Sequence, residues 1–128
     1  MADFKDLYAY KKGFELSMEI FEITKKFPPE EKYALTDQIR RSSRSICANI
    51  AEAFRKRRYP NHFISKLTDS DAENSETQVW LEFAFNCKYI NENTFNELTQ
   101  KSIEIGKLLS AMIKNPNNYL DKIKIKMD

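Results

Sequence analysis

Leu35-Thr36-Asp37-Gln38-Ile39-Arg40-Arg41-Ser42-Ser43-Arg44-Ser45-Ile46-Cys47-Ala48-Asn49-Ile50-Ala51-Glu52-Ala53-Phe54 decides the fold. Leu35, Ile39, Ser43, Ile46, Ile50 and Phe54 recur at spacings of three and four, so they share one face of a helix. The middle is rich in small residues: Ser42, Ser43, Ser45, Cys47, Ala48 and Ala51. Small side chains let neighbouring helices approach closely. The pattern predicts a long helix from about Lys32 to Arg58, bounded by Pro29 before it and Pro60 after it.

Upstream, Gly13, Leu16, Ile20, Ile23 and Phe27 form a packed seam on a helix from about Leu7 to Lys26. Tyr10, Phe14, Met18 and Phe21 form a second apolar stripe. That stripe has two readings, an oligomer interface or one side of a wide core-facing surface. Phe27-Pro28-Pro29-Glu30-Glu31 ends the helix, and its glutamates suit the positive end of the next one. Downstream, a third helix is expected over about Asn61 to Cys87, with Phe63, Leu67, Val79, Phe83 and Cys87 in the core. Its polar middle, Thr68 to Gln78, is its least helical-looking part. Asn91 is the expected N-cap of a fourth helix carrying Leu98, Ile105, Leu109 and Met112 to about Lys114. Asn115-Pro116-Asn117-Asn118 stops it.

Four helices with short connections predict an all-α antiparallel up-down-up-down bundle over residues 1–118, followed by a flexible basic tail over 119–128. Two glycines and four prolines in 128 residues agree with few loops. No apolar run approaches the roughly 20 residues that cross a bilayer. Met1-Ala2-Asp3-Phe4-Lys5-Asp6 has no apolar stretch and carries acids, unlike a secretory signal. A cytoplasmic location without membrane contact is therefore expected, with Cys47 and Cys87 as two buried, reduced thiols.

Catalytic patterns are missing from the sequence. The lone histidine, His62, reads as a solvated turn residue, and no spacing of Cys, His or acids predicts a zinc or di-iron site. Gly13 and Gly106 cannot make a nucleotide-binding glycine loop. Ser42 and Ser43 lack a credible base, and Glu52 and Glu76 read as surface or ion-pairing groups. No enzyme, metal or cofactor is expected.

Charge is separated instead. All six arginines lie between positions 40 and 58, and segment 32–60 carries a net +6. Segment 69–97 carries a net −6. Projected at about 100° per residue from Leu35, the apolar face spans roughly 0° to 100°. Arg40, Arg44, Arg55 and Arg58 fall at roughly 140° to 200°, with Arg41 further round and Lys56 close by in sequence. Arginine's planar fork fits phosphate or carboxylate. The stripe therefore predicts contact with a nucleic-acid backbone, or with the acidic segment of the same or a neighbouring subunit. A solvated basic face is the plain alternative.

The run Phe27-Pro28-x-Glu30-Glu31-x-Tyr33-x-Leu35-Thr36-x-Gln38-Ile39-Arg40-Arg41-Ser42-Ser43-x-Ser45-Ile46-x-Ala48-Asn49-Ile50-Ala51-Glu52 resembles the signature of the four-helix-bundle proteins encoded in intervening sequences of bacterial 23S rRNA genes. A weaker likeness continues through Phe63, Glu76-Thr77-Gln78 and Tyr89. Ala53 stands where that family usually has Gly, Ser70-Asp71 where a Gly-Ser pair is usual, and Asn74 where an acid is common. The resemblance implies a ring-like homopentamer. It also implies kinship with the accessory proteins of diversity-generating retroelements, basic pentamers that bind nucleic acid and a reverse transcriptase. On the residues and the resemblance together, Arg40, Arg41, Arg44, Arg55, Lys56 and Arg58 are the candidate RNA- or DNA-binding residues.

Overall fold

A computed structural model describes residues 3–120, which hold four long helices and no strand. They are α1 (Tyr8–Thr24), α2 (Leu35–Arg55), α3 (Pro60–Asn86) and α4 (Glu92–Lys114). Each packs on its neighbours in chain order, and α1 also closes against α4.

Local chemistry sets the ends. A 3-10 turn, Phe4–Asp6, leads into α1, with Asp3 and Asp6 forming a reciprocal capping box. A second 3-10 turn, Pro29–Glu31, stands before α2. The Glu31 carboxylate accepts from the Leu35 N–H at 3.2 Å and from the Tyr89 hydroxyl at 2.8 Å. It thus satisfies an otherwise orphaned donor of α2 and ties the α1–α2 connection to the α3–α4 turn. α2 is three residues shorter at each end than its sequence predicts. Lys32 to Ala34 form turns, and at the other end Arg57 Nε donates to the Phe54 carbonyl at 2.8 Å. Pro60 opens α3, where its missing N–H costs nothing. Asn91 caps α4 as expected, accepting from the Thr94 N–H at 2.8 Å.

The predicted α2 face is buried from Leu35 to Phe54, as are Leu98, Ile105, Leu109 and Met112 of α4. In α1 the seam is buried at Gly13, Leu16 and Ile20, with Phe27 buried beyond the helix end. Ile23 is half-buried. In α3 the expectation holds at Phe63 and Leu67 and fails beyond them. Val79, Phe83 and Cys87 are exposed, and the buried face is Phe63, Leu67, Ser70, Asn74, Thr77, Leu81 and Ala84. This face keeps strict alternating four- and three-residue steps, but its centre is polar.

Those polar groups are matched across the bundle. Ser42 and Thr77 hydroxyls pair at 2.9 Å, and Ser70 donates to the Ile46 carbonyl at 2.8 Å. The Asn74 amide donates to the Ser102 carbonyl at 2.9 Å and accepts from the Ser102 hydroxyl at 2.7 Å. Gln78 donates to that same hydroxyl at 2.9 Å. Buried polar groups cost stability unless paired, so this central layer fixes the helices' mutual register.

The basic tail expected from 119 begins differently. Tyr119 stacks on Phe63 with ring centroids 6.4 Å apart, and Leu120 is buried. The rest of that expected tail lies outside the described residues.

Candidate nucleic-acid interface

The outer face of α2 opposes its buried seam. Near its N-terminal end lies an open groove of about 550 Å³, lined by Lys32, Tyr33, Asp37, Arg40, Arg41 and Arg44 among others. Four bases meet one acid there, and Tyr33 is 84% exposed.

The three arginines are held differently. Arg40 leans onto the end of α1. Its Nε donates to Thr24 Oγ1 at 2.8 Å, one terminal nitrogen lies 3.4 Å from the Phe21 carbonyl, and its guanidinium lies 4.8 Å from the Phe21 ring centroid. A cation there suits the negative C-terminal end of α1. Arg41 turns the other way, pairing with Glu73 at 3.3 Å and hydrogen-bonding Glu76. Arg44 is exposed, with its guanidinium 5.9 Å from the Phe21 ring centroid.

The remaining candidates lie elsewhere. Arg55 ends α2, about 16 Å along the axis from Arg44 at 1.5 Å per residue. Lys56 and Arg58 follow in the turn, so Arg58 leaves the projected stripe. Ala48 and Ala51 separate the two basic groups. Beside that gap Lys66 binds Glu52 at 2.6 Å, which raises the lysine pKa and lowers that of the carboxyl. Glu52 and Glu76 therefore serve separate ion pairs and do not meet. Lys32 and Tyr33 are the groove residues that projecting the helix missed. An aromatic beside a basic run is the signal that marks them.

The proposed interface stripe of α1 divides. Phe14 and Met18 are 51% and 45% exposed. Tyr10 packs against Phe4 at 5.1 Å between centroids, and Phe21 lies beneath Arg40 and Arg44. A second apolar surface lies on α3, where Val79 and Phe83 are 45% and 55% exposed. Phe83 borders a small groove with Trp80, Leu35 and Ala34. His62 is exposed at the start of α3, 5.7 Å from the Tyr59 ring. Among the described residues, no three His, Cys, Asp or Glu side chains cluster to hold a metal ion. No helix there is long and apolar enough to cross a membrane.

Comparison with known proteins supplies the lineage. Residues 5–111 match the family described as 23S rRNA-intervening sequence protein. A solved Bacteroides thetaiotaomicron protein of unknown function, from the S23 ribosomal protein family, is 34% identical, with a TM-score of 0.75. The alignment covers 83% of this chain and 95% of that one. No curated protein matches. With most of its length matched, the groove-bearing α2 included, the chain belongs to the 23S rRNA-intervening sequence protein family.

Proposed function

We propose that this protein is a non-enzymatic, cytoplasmic, homo-oligomeric up-down-up-down bundle that binds the backbone of RNA or DNA through the outer face of α2. The groove carries the reading: Lys32, Arg40 and Arg44 line one open depression beside the exposed Tyr33. Guanidinium groups suit phosphate oxygens, and no base-reading motif accompanies them, so sequence preference is weak. Arg41 contributes less, because Glu73 and Glu76 already neutralise it.

The helix order is supported by the register of contacts. A Cβ on Gly13 would meet Ile46 and Cys47, while Thr24 meets Arg40, so positions rise along α1 as they fall along α2. Ser42 with Thr77 and Asn49 with Lys66 repeat that reversal between α2 and α3. Self-assembly is supported by the two separate apolar surfaces, Phe14–Met18 on α1 and Val79–Phe83 on α3. Two different surfaces joined head to tail close a ring if the rotation permits. The number five rests on the family resemblance.

The binding test is a salt titration of wild type against Arg44→Ala on RNA and duplex DNA. Binding that weakens with salt and with the substitution supports the reading, and no binding at low salt ends it. For assembly, light scattering on Phe14→Glu and Phe83→Glu should each report smaller particles, and unchanged particles would refute those surfaces.

The second reading is a protein-only assembly module, in which basic and acidic helices pair between subunits or with a partner such as a reverse transcriptase. The Arg41 pairs with Glu73 and Glu76 lend it support in kind, although both lie within one chain. Charge reversal at Arg44 would break the oligomer on this reading and spare it on the first.

A further inference from the structure

We infer that the α2 groove takes single-stranded nucleic acid, with a base stacked on Tyr33 and the adjoining phosphates on Lys32, Arg40 and Arg44. This rests on the nucleic-acid reading above and narrows it to one kind of strand.

Tyr33 is the most exposed large apolar or aromatic side chain among the described residues, at 84%. It belongs to the turn before α2, outside the bundle's packing, and yet it lines the basic groove. The Lys32 ammonium lies over its ring, 5.3 Å from the centroid, so one face of the ring already carries a cation and a stacked base takes the other. An exposed ring lining one groove with guanidinium groups is the arrangement that binds single strands: the base lies on the ring and the backbone follows the charges. A duplex offers that ring little, because its bases are stacked on one another and its phosphates face outward. The groove's volume, about 550 Å³, falls in the range that takes a small-molecule-sized group such as one unstacked nucleotide.

Arg40 gives the groove a fixed wall. Its bonds to Thr24 and to the Phe21 carbonyl hold the guanidinium in place before any strand arrives. Less side-chain freedom is then lost on binding. Arg44 and Lys32 are freer and act as charges along the strand.

Fluorescence anisotropy with the full chain tests this, using a labelled single strand, a duplex of the same sequence and inorganic polyphosphate. Tyr33→Ala is expected to weaken single-strand binding roughly fivefold to a hundredfold, the effect of losing one stacked base. Duplex and polyphosphate binding should stay unchanged. Tyr33→Phe, which keeps the ring, should bind like wild type, as should Tyr8→Ala, which removes an exposed ring outside the groove lining. Circular dichroism confirms that each variant folds. If Tyr33→Ala leaves single-strand binding intact while Arg44→Ala lowers it, stacking is refuted and the charge reading stands. If Tyr33→Ala weakens polyphosphate equally, stacking is likewise refuted. If wild type binds none of the three at low salt, both readings fail together.

Discussion

Arg40 Nε donates to Thr24 Oγ1 at 2.8 Å, and Thr24 in turn donates to the Ile20 carbonyl at 2.7 Å. An arginine from the basic stripe thus closes the last turn of α1. Arg40→Ala is expected to cost about 1.5–3 kcal/mol of folding stability, the scale of a charged hydrogen bond. Arg44→Ala, on an exposed side chain, should cost no more than about 0.5 kcal/mol. Urea titrations of the two variants check this. Equal losses would mean that Arg40's contacts are not structural.

The two helical glycines should respond in opposite directions. A Cβ at Gly13 would sit 3.2 Å from Cys47 Sγ and from Ile46 Cγ2, and Ile46 is fully buried. Gly13→Ala gains about 1 kcal/mol of helix propensity but forces apart two packed helices at about 1–3 kcal/mol. A net loss of about 1 kcal/mol is expected. At Gly106 the nearest atom, Asn74 Nδ2, is 3.4 Å away, an ordinary contact. Gly106→Ala should therefore stabilise by up to about 1 kcal/mol. Thermal melts of both variants decide, and stabilisation by Gly13→Ala would contradict the close α1–α2 approach.

Asn74 is 2% exposed and both donates to and accepts from Ser102. An ionised aspartate could not donate to the Ser102 carbonyl and would be a buried charge. Asn74→Asp is expected to cost about 3 kcal/mol at neutral pH. Burial raises the folded-state pKa of the new acid above its unfolded value. Its penalty should therefore shrink as pH falls toward about 4, where the protonated acid can donate. A penalty that is the same at neutral and acid pH would argue against this account of the site.

The cysteines should differ in reactivity. Burial pushes the Cys47 thiol up to about 12, whereas Cys87 is exposed at the end of α3. Since the thiolate is the nucleophile, iodoacetamide near pH 8 should label Cys87 and spare Cys47 in the folded protein. Mass spectrometry of the labelled chain reads this directly. Tyr89 is also raised to about 12, first by its bond to Glu31. Both groups stay protonated in the folded state at pH values where the unfolded chain has released the proton. Their stabilisation is thus intact below about pH 9 and lost as pH rises toward 12. Melting temperatures between those limits should fall, and more gently in Cys47→Ala. Labelling of both thiols at equal rates would contradict the half-buried position of Cys47 between α1 and α2, which the sequence expectation of two buried thiols overstates.

Periodicity read α2 and α4 well because apolar residues mark their seams without interruption, apart from Ser43 and Ser102. It misread α3 because Ser70, Asn74 and Thr77 occupy core positions. Their partners, Ile46, Ser102 and Ser42, lie 24 to 35 residues away in sequence. Hydropathy cannot reveal such pairing, so Val79 and Phe83 looked like the continuation of the core. The basic stripe was legible as a register but not in its engagements. Thr24 holds Arg40 and Glu73 holds Arg41 through contacts that only the folded bundle creates. Exposed Tyr33 belongs to a turn, where helical projection has no meaning.

The central claim, that Lys32, Arg40 and Arg44 receive phosphates, is tested most directly by the slope of log affinity against log salt on a single strand. Three phosphates neutralised predict a slope near −2, at about −0.7 per contact. Arg44→Ala should lower its magnitude by about 0.7. A flat dependence, or a slope unchanged by Arg44→Ala, would contradict the claim.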